Sequence, residues 1–156
     1  MHTRELIILN FSEVRRRSTK VWLGIPGDKY DWKPDADAMS CIEMVRHMIE
    51  SPYIYQQIII HRGDPGELIT PWQNKPLMSI QQEIEFSKPY VLEFIDMING
   101  FSDQELDEIE IIRPALNQRR KLGDYLQRIA YHEAIHTGQL LAYLRTMNVD
   151  RPEIWD

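Results

Sequence analysis

Apolar residues recur at three- and four-residue intervals along four stretches of this chain, and that spacing predicts four amphipathic helices. Ile7, Phe11, Val14, Ser18, Val21 and Ile25 fall on one face of a helix over residues 3–24, ended by Gly24, Pro26 and Gly27. Met44, His47, Ser51, Ile54, Ile58 and His61 form a second stripe. Ser40-Cys41-Ile42-Glu43 reads as the capping box that starts it. The third stripe is Ile80, Ile84, Ser87, Val91, Phe94 and Ile98, opened by Ser79-Ile80-Gln81-Gln82 and followed by Gly100. Pro52 and Pro89 sit inside the second and third patterns and predict a kink or an early end. The fourth helix, over residues 122–147, carries Tyr125, Ile129, His132, His136, Gln139 and Tyr143 on one face.

The segment Glu108-Ile109-Glu110-Ile111-Ile112-Arg113 predicts a short extended stretch before Pro114, inside an otherwise irregular region over residues 101–121. With no convincing sheet, the fold class is all-α: a four-helix bundle with long interhelical loops, in a single domain over residues 1–156. The connections exceed the usual helix–helix link, which marks them as candidates for function.

Composition narrows the function classes. Hydrophobic residues are 43% and charged residues 27% of 156, close to a globular average, which excludes fibrous and low-complexity readings. The formal net charge is −6, from 18 Lys+Arg against 24 Asp+Glu, so the electrostatic footprint of a nucleic-acid binder is missing. Arg15-Arg16-Arg17 reads as a solvated helix face. The single cysteine, Cys41, excludes an intramolecular disulfide and fits a reducing compartment. Apolar runs are far shorter than a membrane span, and the first residues lack a signal-peptide pattern. A cytoplasmic protein without a membrane partner is the expectation.

The informative polar residues are histidines. His132 and His136 are four apart, so their Cβ atoms lie about 5–6 Å from one another on one helical face. Two such imidazoles can reach one ion at about 2.0–2.1 Å. A lone histidine in an apolar stripe is ordinarily a core residue with one hydrogen bond, but two at this spacing each need a partner. A third nitrogen can come from His47 or from His61 on the second stripe. These two are about 21 Å apart along a straight helix, so only one can join the pair, and the sequence leaves open which. Cys41 turns to roughly the side opposite His47. Three protein nitrogens leave a coordination position open, the arrangement of a catalytic rather than a structural zinc site.

Neighbours of these histidines are candidates for supporting roles. Gln139 shares the face of His136 and can orient a ligand or a substrate. Tyr125 and Tyr143 share it as well and are candidate pocket residues. Glu43 precedes His47 by one turn, although its capping box already accounts for it. Gly138 inside the helix costs about 1 kcal/mol relative to Ala, which predicts close approach of a neighbouring helix. No catalytic base can be named from the sequence.

His132-Glu133-Ala134-Ile135-His136 also matches the H-E-x-x-H zinc-protease motif. Its context is missing. No third acidic ligand follows on a later helix, the histidine-rich extension is absent, and no upstream sheet is evident to hold a peptide. A metalloprotease is a remote alternative.

The chain resembles the DinB/YfiT-like superfamily of bacterial metal-binding four-helix bundles. The resemblance rests on His47 within a helix that begins at Ser40 and on Trp32 and Pro34 before it. It rests also on the run His132-Glu133-Ala134-Ile135-His136-Thr137-Gly138-Gln139-Leu140, on Leu144-Arg145, and on a proline-containing tail. It implies one divalent metal ion, commonly nickel or zinc, held by His47, His132 and His136, and a homodimer. Some members are thiol-dependent enzymes, such as bacillithiol S-transferases and a mycothiol-dependent maleylpyruvate isomerase, so a low-molecular-weight thiol is an implied co-substrate. Others have no assigned activity. The resulting expectation is a metal-dependent enzyme acting on a small molecule, of the thiol S-transferase or hydrolase type. The alternative is a non-catalytic metal-binding protein of a damage-inducible stress response.

Overall fold

Serine caps set the starts of three helices. Ser40 Oγ accepts a bond from the Glu43 backbone N–H, and the Ser40 N–H donates to the Glu43 carboxylate at 2.7 Å. Ser79 with Gln82, and Ser102 with Glu105, repeat the exchange. In the computed structural model, which describes residues 2–155, the elements are α1 (Thr3–Leu23), α2 (Cys41–Ile60), α3 (Ile80–Asn99), α4 (Asp103–Glu108), β1 (Glu110–Arg113), β2 (Gln118–Lys121) and α5 (Leu122–Thr146).

The chain is mostly helical, but not without a sheet. The predicted extended segment becomes β1 and pairs antiparallel with β2, Glu110 opposite Lys121 through Arg113 opposite Gln118. Strand β2 reads Gln-Arg-Arg-Lys, with no apolar alternation to announce it. Asn117 makes the turn in the left-handed region at φ 50°. The hairpin is anchored by Gly63, where a Cβ would run into the Ile112 carbonyl.

Helix α1 packs on α5 and α3, and α2 packs on α3 and α5. Side-chain pairs give the directions. Asn10 meets Gln127, and Ser18 meets Thr137, so α1 and α5 run parallel. Arg46 meets Glu83 and Tyr53 meets Tyr90, so α2 and α3 also run parallel. His47 meets His132 and Tyr55 meets Tyr125, so α2 and α5 run antiparallel. A parallel neighbour can be reached only by returning the length of the helix, about 30 Å for 20 residues. The length of the connection over residues 61–79 therefore has a topological cause. Arg46 clamps that connection through the Lys75 and Pro76 carbonyls, and its buried partner Glu83 accepts from the Met78 N–H at 2.9 Å.

Neither proline ends its helix. Pro52 leaves the Met48 carbonyl without its helical donor, and the Arg15 guanidinium, reaching in from α1, donates to that carbonyl at 3.2 Å.

The interior divides into two apolar clusters. One gathers Trp22, Met44, Met48, Trp72 and Leu140, the other Phe11, Ile58, Phe94, Tyr125 and Leu126. Between them, along α1 and α5, lies a polar layer in which Arg15 pairs with Glu133 at 2.7 Å and Ser18 hydrogen-bonds Thr137 at 2.7 Å. Of the four tryptophans, Trp22 and Trp72 are core residues, Trp32 packs edge-on against Tyr143, and Trp155 is exposed. Among the described residues, no helix is long and apolar enough to cross a membrane.

Candidate metal centre

The rotation of α5 decides what its histidines see. Its buried residues are Leu122, Tyr125, Leu126, Ile129, Ala130, Glu133, Thr137, Leu140 and Leu144, so the stripe that carries the histidines is buried at Tyr125 and Ile129 and turns toward the surface beyond them. His132 and His136 therefore sit at the rim of the core, half-buried at the seam with α2. His47, half-buried on α2, faces them across that seam.

The three rings meet through one kind of atom. Nε2 of His132 lies 2.8 Å from Nε2 of His47 and 3.1 Å from Nε2 of His136. The rings pack edge-on, with centroids 4.5 to 4.9 Å apart. Nitrogens around a tetrahedral ion at 2.0–2.1 Å stand about 3.3 Å from one another, so only a small spreading of the rings would admit one. Among the described residues this is a group of donors that could hold a metal ion. His61 is exposed at the other end of α2, its Nδ1 2.7 Å from the Gln57 carbonyl oxygen. The structure thus brings His47, and not His61, to the pair.

A neutral imidazole has one N–H and one lone pair, so a partner on one nitrogen fixes the role of the other. Gln139 Oε1 lies 2.6 Å from His136 Nδ1. Donation from Nδ1 to that amide oxygen leaves the Nε2 lone pair facing the other two rings. Nδ1 of His132 is buried and has no hydrogen-bond partner. Burial, followed by His47, His136 and Arg128, pushes His132 down to about 4. Burial and then His136 also hold His47 below the ordinary imidazole value. His47 and His132 are neutral near pH 7, and three imidazole nitrogens this close together are donors that one cation can bridge.

Other candidates fall elsewhere. Glu43 is exposed and engaged in its cap, where the Ser40 backbone N–H and then its hydroxyl hold the carboxyl below the usual range. The Tyr143 hydroxyl donates to the Met39 carbonyl at 3.3 Å. Burial pushes the Cys41 thiol up to about 11, which keeps it protonated. Gly138 is a correction, because a Cβ there would meet nothing within 4 Å. Its missing side chain does not admit a neighbouring helix but opens a groove of about 280 Å³ between α1 and α5. Glu133 of the protease-like motif turns away from the histidine face into the core and is held by Arg15. It is not placed to act as a base on an ion between the three rings.

Two residues missed in the sequence stand beside the centre. The Tyr55 ring lies 6.5 Å from the His132 ring and 5.3 Å from that of Tyr125. The Arg128 guanidinium lies near enough to the Tyr55 phenol to oppose the upward push that burial gives it. Their only sequence signal was position, since Arg128 precedes His132 by four residues and so shares its face.

Comparison with known proteins agrees with this architecture. An uncharacterized protein of Bacillus subtilis (strain 168), YjoA, is 28% identical over 147 residues, spanning 90% of this chain and 88% of the relative. The crystal structure of the DinB-like protein YjoA from Bacillus subtilis superposes with a TM-score of 0.70 over 96% of both chains at 24% identity, a likeness of fold. The family model for the DinB superfamily matches residues 10–140, which include His47, His132, His136 and Gln139. The chain belongs to the DinB superfamily.

Proposed function

We propose that this protein binds one divalent metal ion, nickel or zinc, through His47, His132 and His136. The open positions of that ion serve a reaction on a small molecule, of the thiol S-transferase or hydrolase type. The observation that carries the reading is the convergence of three Nε2 atoms at a half-buried seam, with Gln139 fixing one ring. A divalent ion in a three-nitrogen site lowers the pKa of bound water or holds a thiol as its thiolate. The protein's own contribution is to keep His47 and His132 neutral and to orient His136.

The test is elemental mass spectrometry of the purified protein and of its His47→Ala, His132→Ala and His136→Ala variants. Near-stoichiometric metal, lost in each variant, supports the site. No metal, even after loading with nickel or zinc, overturns it. The metal-loaded protein is then screened for thiol conjugation and hydrolysis across a broad panel. Failure of the whole panel favours a non-catalytic metal-binding protein instead. A homodimer is part of the same reading. It is supported by large apolar side chains left outside on α5, Tyr131 at 70% and Ile135 at 44% exposure, and is tested by sedimentation.

A further inference from the structure

The seam between α2 and α5 does not end at the histidines. One turn before His132 on α5 stands Arg128, half-buried, and the Tyr55 ring of α2, whose phenol feels the Arg128 charge, lies 6.5 Å from the His132 ring. Beyond Tyr55 lies Tyr125, whose phenol feels the charge of Arg113 of β1. The two arginines differ. Arg113 is paired with Asp64 at 2.6 Å. Among the described residues, no carboxylate pairs with Arg128. A half-buried guanidinium without a counter-ion is an uncompensated positive charge, and a guanidinium recognises carboxylate or phosphate oxygens through parallel N–H bonds. Burial keeps the Tyr55 phenol protonated, so it has a proton to donate as well. The net charge of the chain is −6, so this local excess of cationic donors runs against the molecule as a whole.

We propose that Arg128 and the Tyr55 hydroxyl form an anion-binding subsite of the metal centre, and that the substrate is a small molecule carrying a carboxylate or phosphate group. This rests on the reading of the three histidines as a metal centre. Four residues of α5 separate Arg128 from His132, about 6 Å along the axis. The substrate is therefore bifunctional. One group meets the ion, and an anionic group a few bonds away meets Arg128.

The cobalt(II)-loaded protein tests both statements separately, because its visible absorption reports first the ion and then any change at its open positions. Acetate, which has one anchor, is compared with glutarate and with 3-phosphonopropionate, which have two. In the wild type, a two-anchor ligand is expected to bind at least about tenfold more tightly than acetate, as one added charge-assisted pair allows. Arg128→Gln should erase that advantage with cobalt bands still formed, and Arg128→Lys should keep part of it. The tighter of the two ligands assigns the anion as carboxylate or phosphate. If cobalt bands form but Arg128→Gln binds both two-anchor ligands as the wild type does, the subsite is overturned and the metal centre stands. If no cobalt bands form in the wild type, the metal reading falls and the subsite with it.

Discussion

Two polar clusters interrupt the apolar interior where α5 passes its neighbours, and they are built on opposite principles. On the side facing α1, Arg15 and Glu133 form a pair of unlike charges, with Glu133 at 1% exposure, and Arg15 also takes up the carbonyl left by Pro52. On the side facing α2, His47, His132 and His136 bring together three groups of one kind. The first cluster matches charge with charge within the chain, although one Glu133 oxygen, Oε1, is buried without a hydrogen-bond partner. The second has no such complement, because it gathers three imidazoles and no group of opposite charge. A buried polar cluster that balances itself reads as architecture, and one that does not reads as a place for something else. Residues 132 and 133 are adjacent, yet a turn of 100° assigns them to the two different classes.

The contrast can be broken most sharply at the ion pair. Glu133→Ala or Arg15→Ala strands a buried charge and is expected to cost about 3–5 kcal/mol in urea unfolding. The joint replacement Arg15→Met with Glu133→Leu should recover most of it. A single-variant loss below about 1 kcal/mol would mean the pair behaves like a surface bridge, and the comparison would collapse. On the histidine side, zinc or nickel at 100 times its Kd should stabilise the wild type by about 2.7 kcal/mol and the His132→Ala variant not at all, read as melting temperature. Gln139→Ala should weaken metal affinity about 10- to 100-fold and leave the metal-free protein unaltered in stability. Equal affinity would show that the amide does not orient His136.

Acid sharpens the comparison further. The metal-free folded state holds His132 neutral down to about 4, whereas the unfolded chain takes up that proton near the ordinary 6.5. The unfolded state therefore binds more protons in this window, and metal-free stability should fall as pH drops from 6.5 toward 4. His132→Ala should flatten that dependence. The smallest effect is at Gly138, where a Cβ meets nothing, so Gly138→Ala should stabilise α5 by about 0.5–1 kcal/mol. A loss there would restore the close approach that the sequence had suggested.

What could be read beforehand was local. Ser40 and Ser79 marked helix starts because a capping box is complete within four residues, and His132 and His136 announced themselves because four residues make one turn. What could not be read depends on partners distant in the chain. The choice of His47 over His61 follows from α2 and α5 running antiparallel, which no stripe encodes. Pro52 predicts a break until Arg15, 33 positions away from the carbonyl it serves, offers a replacement donor. Glu83 is a charged residue at 0% exposure because Arg46 reaches it across two helices. The helix α4 was the exception. Its signal, Ser102 to Glu105, was as local as the others but was followed by too short a helix to show a stripe.

The separation of His47 from its partners has a consequence in time. His47 and His132 are 85 positions apart, with α3 and the hairpin lying between them in the chain. During synthesis, a nascent chain that already displays α1, α2 and α3 presents a single one of the three rings. The centre comes into being only when α5 emerges and docks against both α1 and α2. A ligand of the trio is thus a reporter of completion: it selects finished molecules and ignores intermediates, and its binding energy favours the closing step of folding over all those before it.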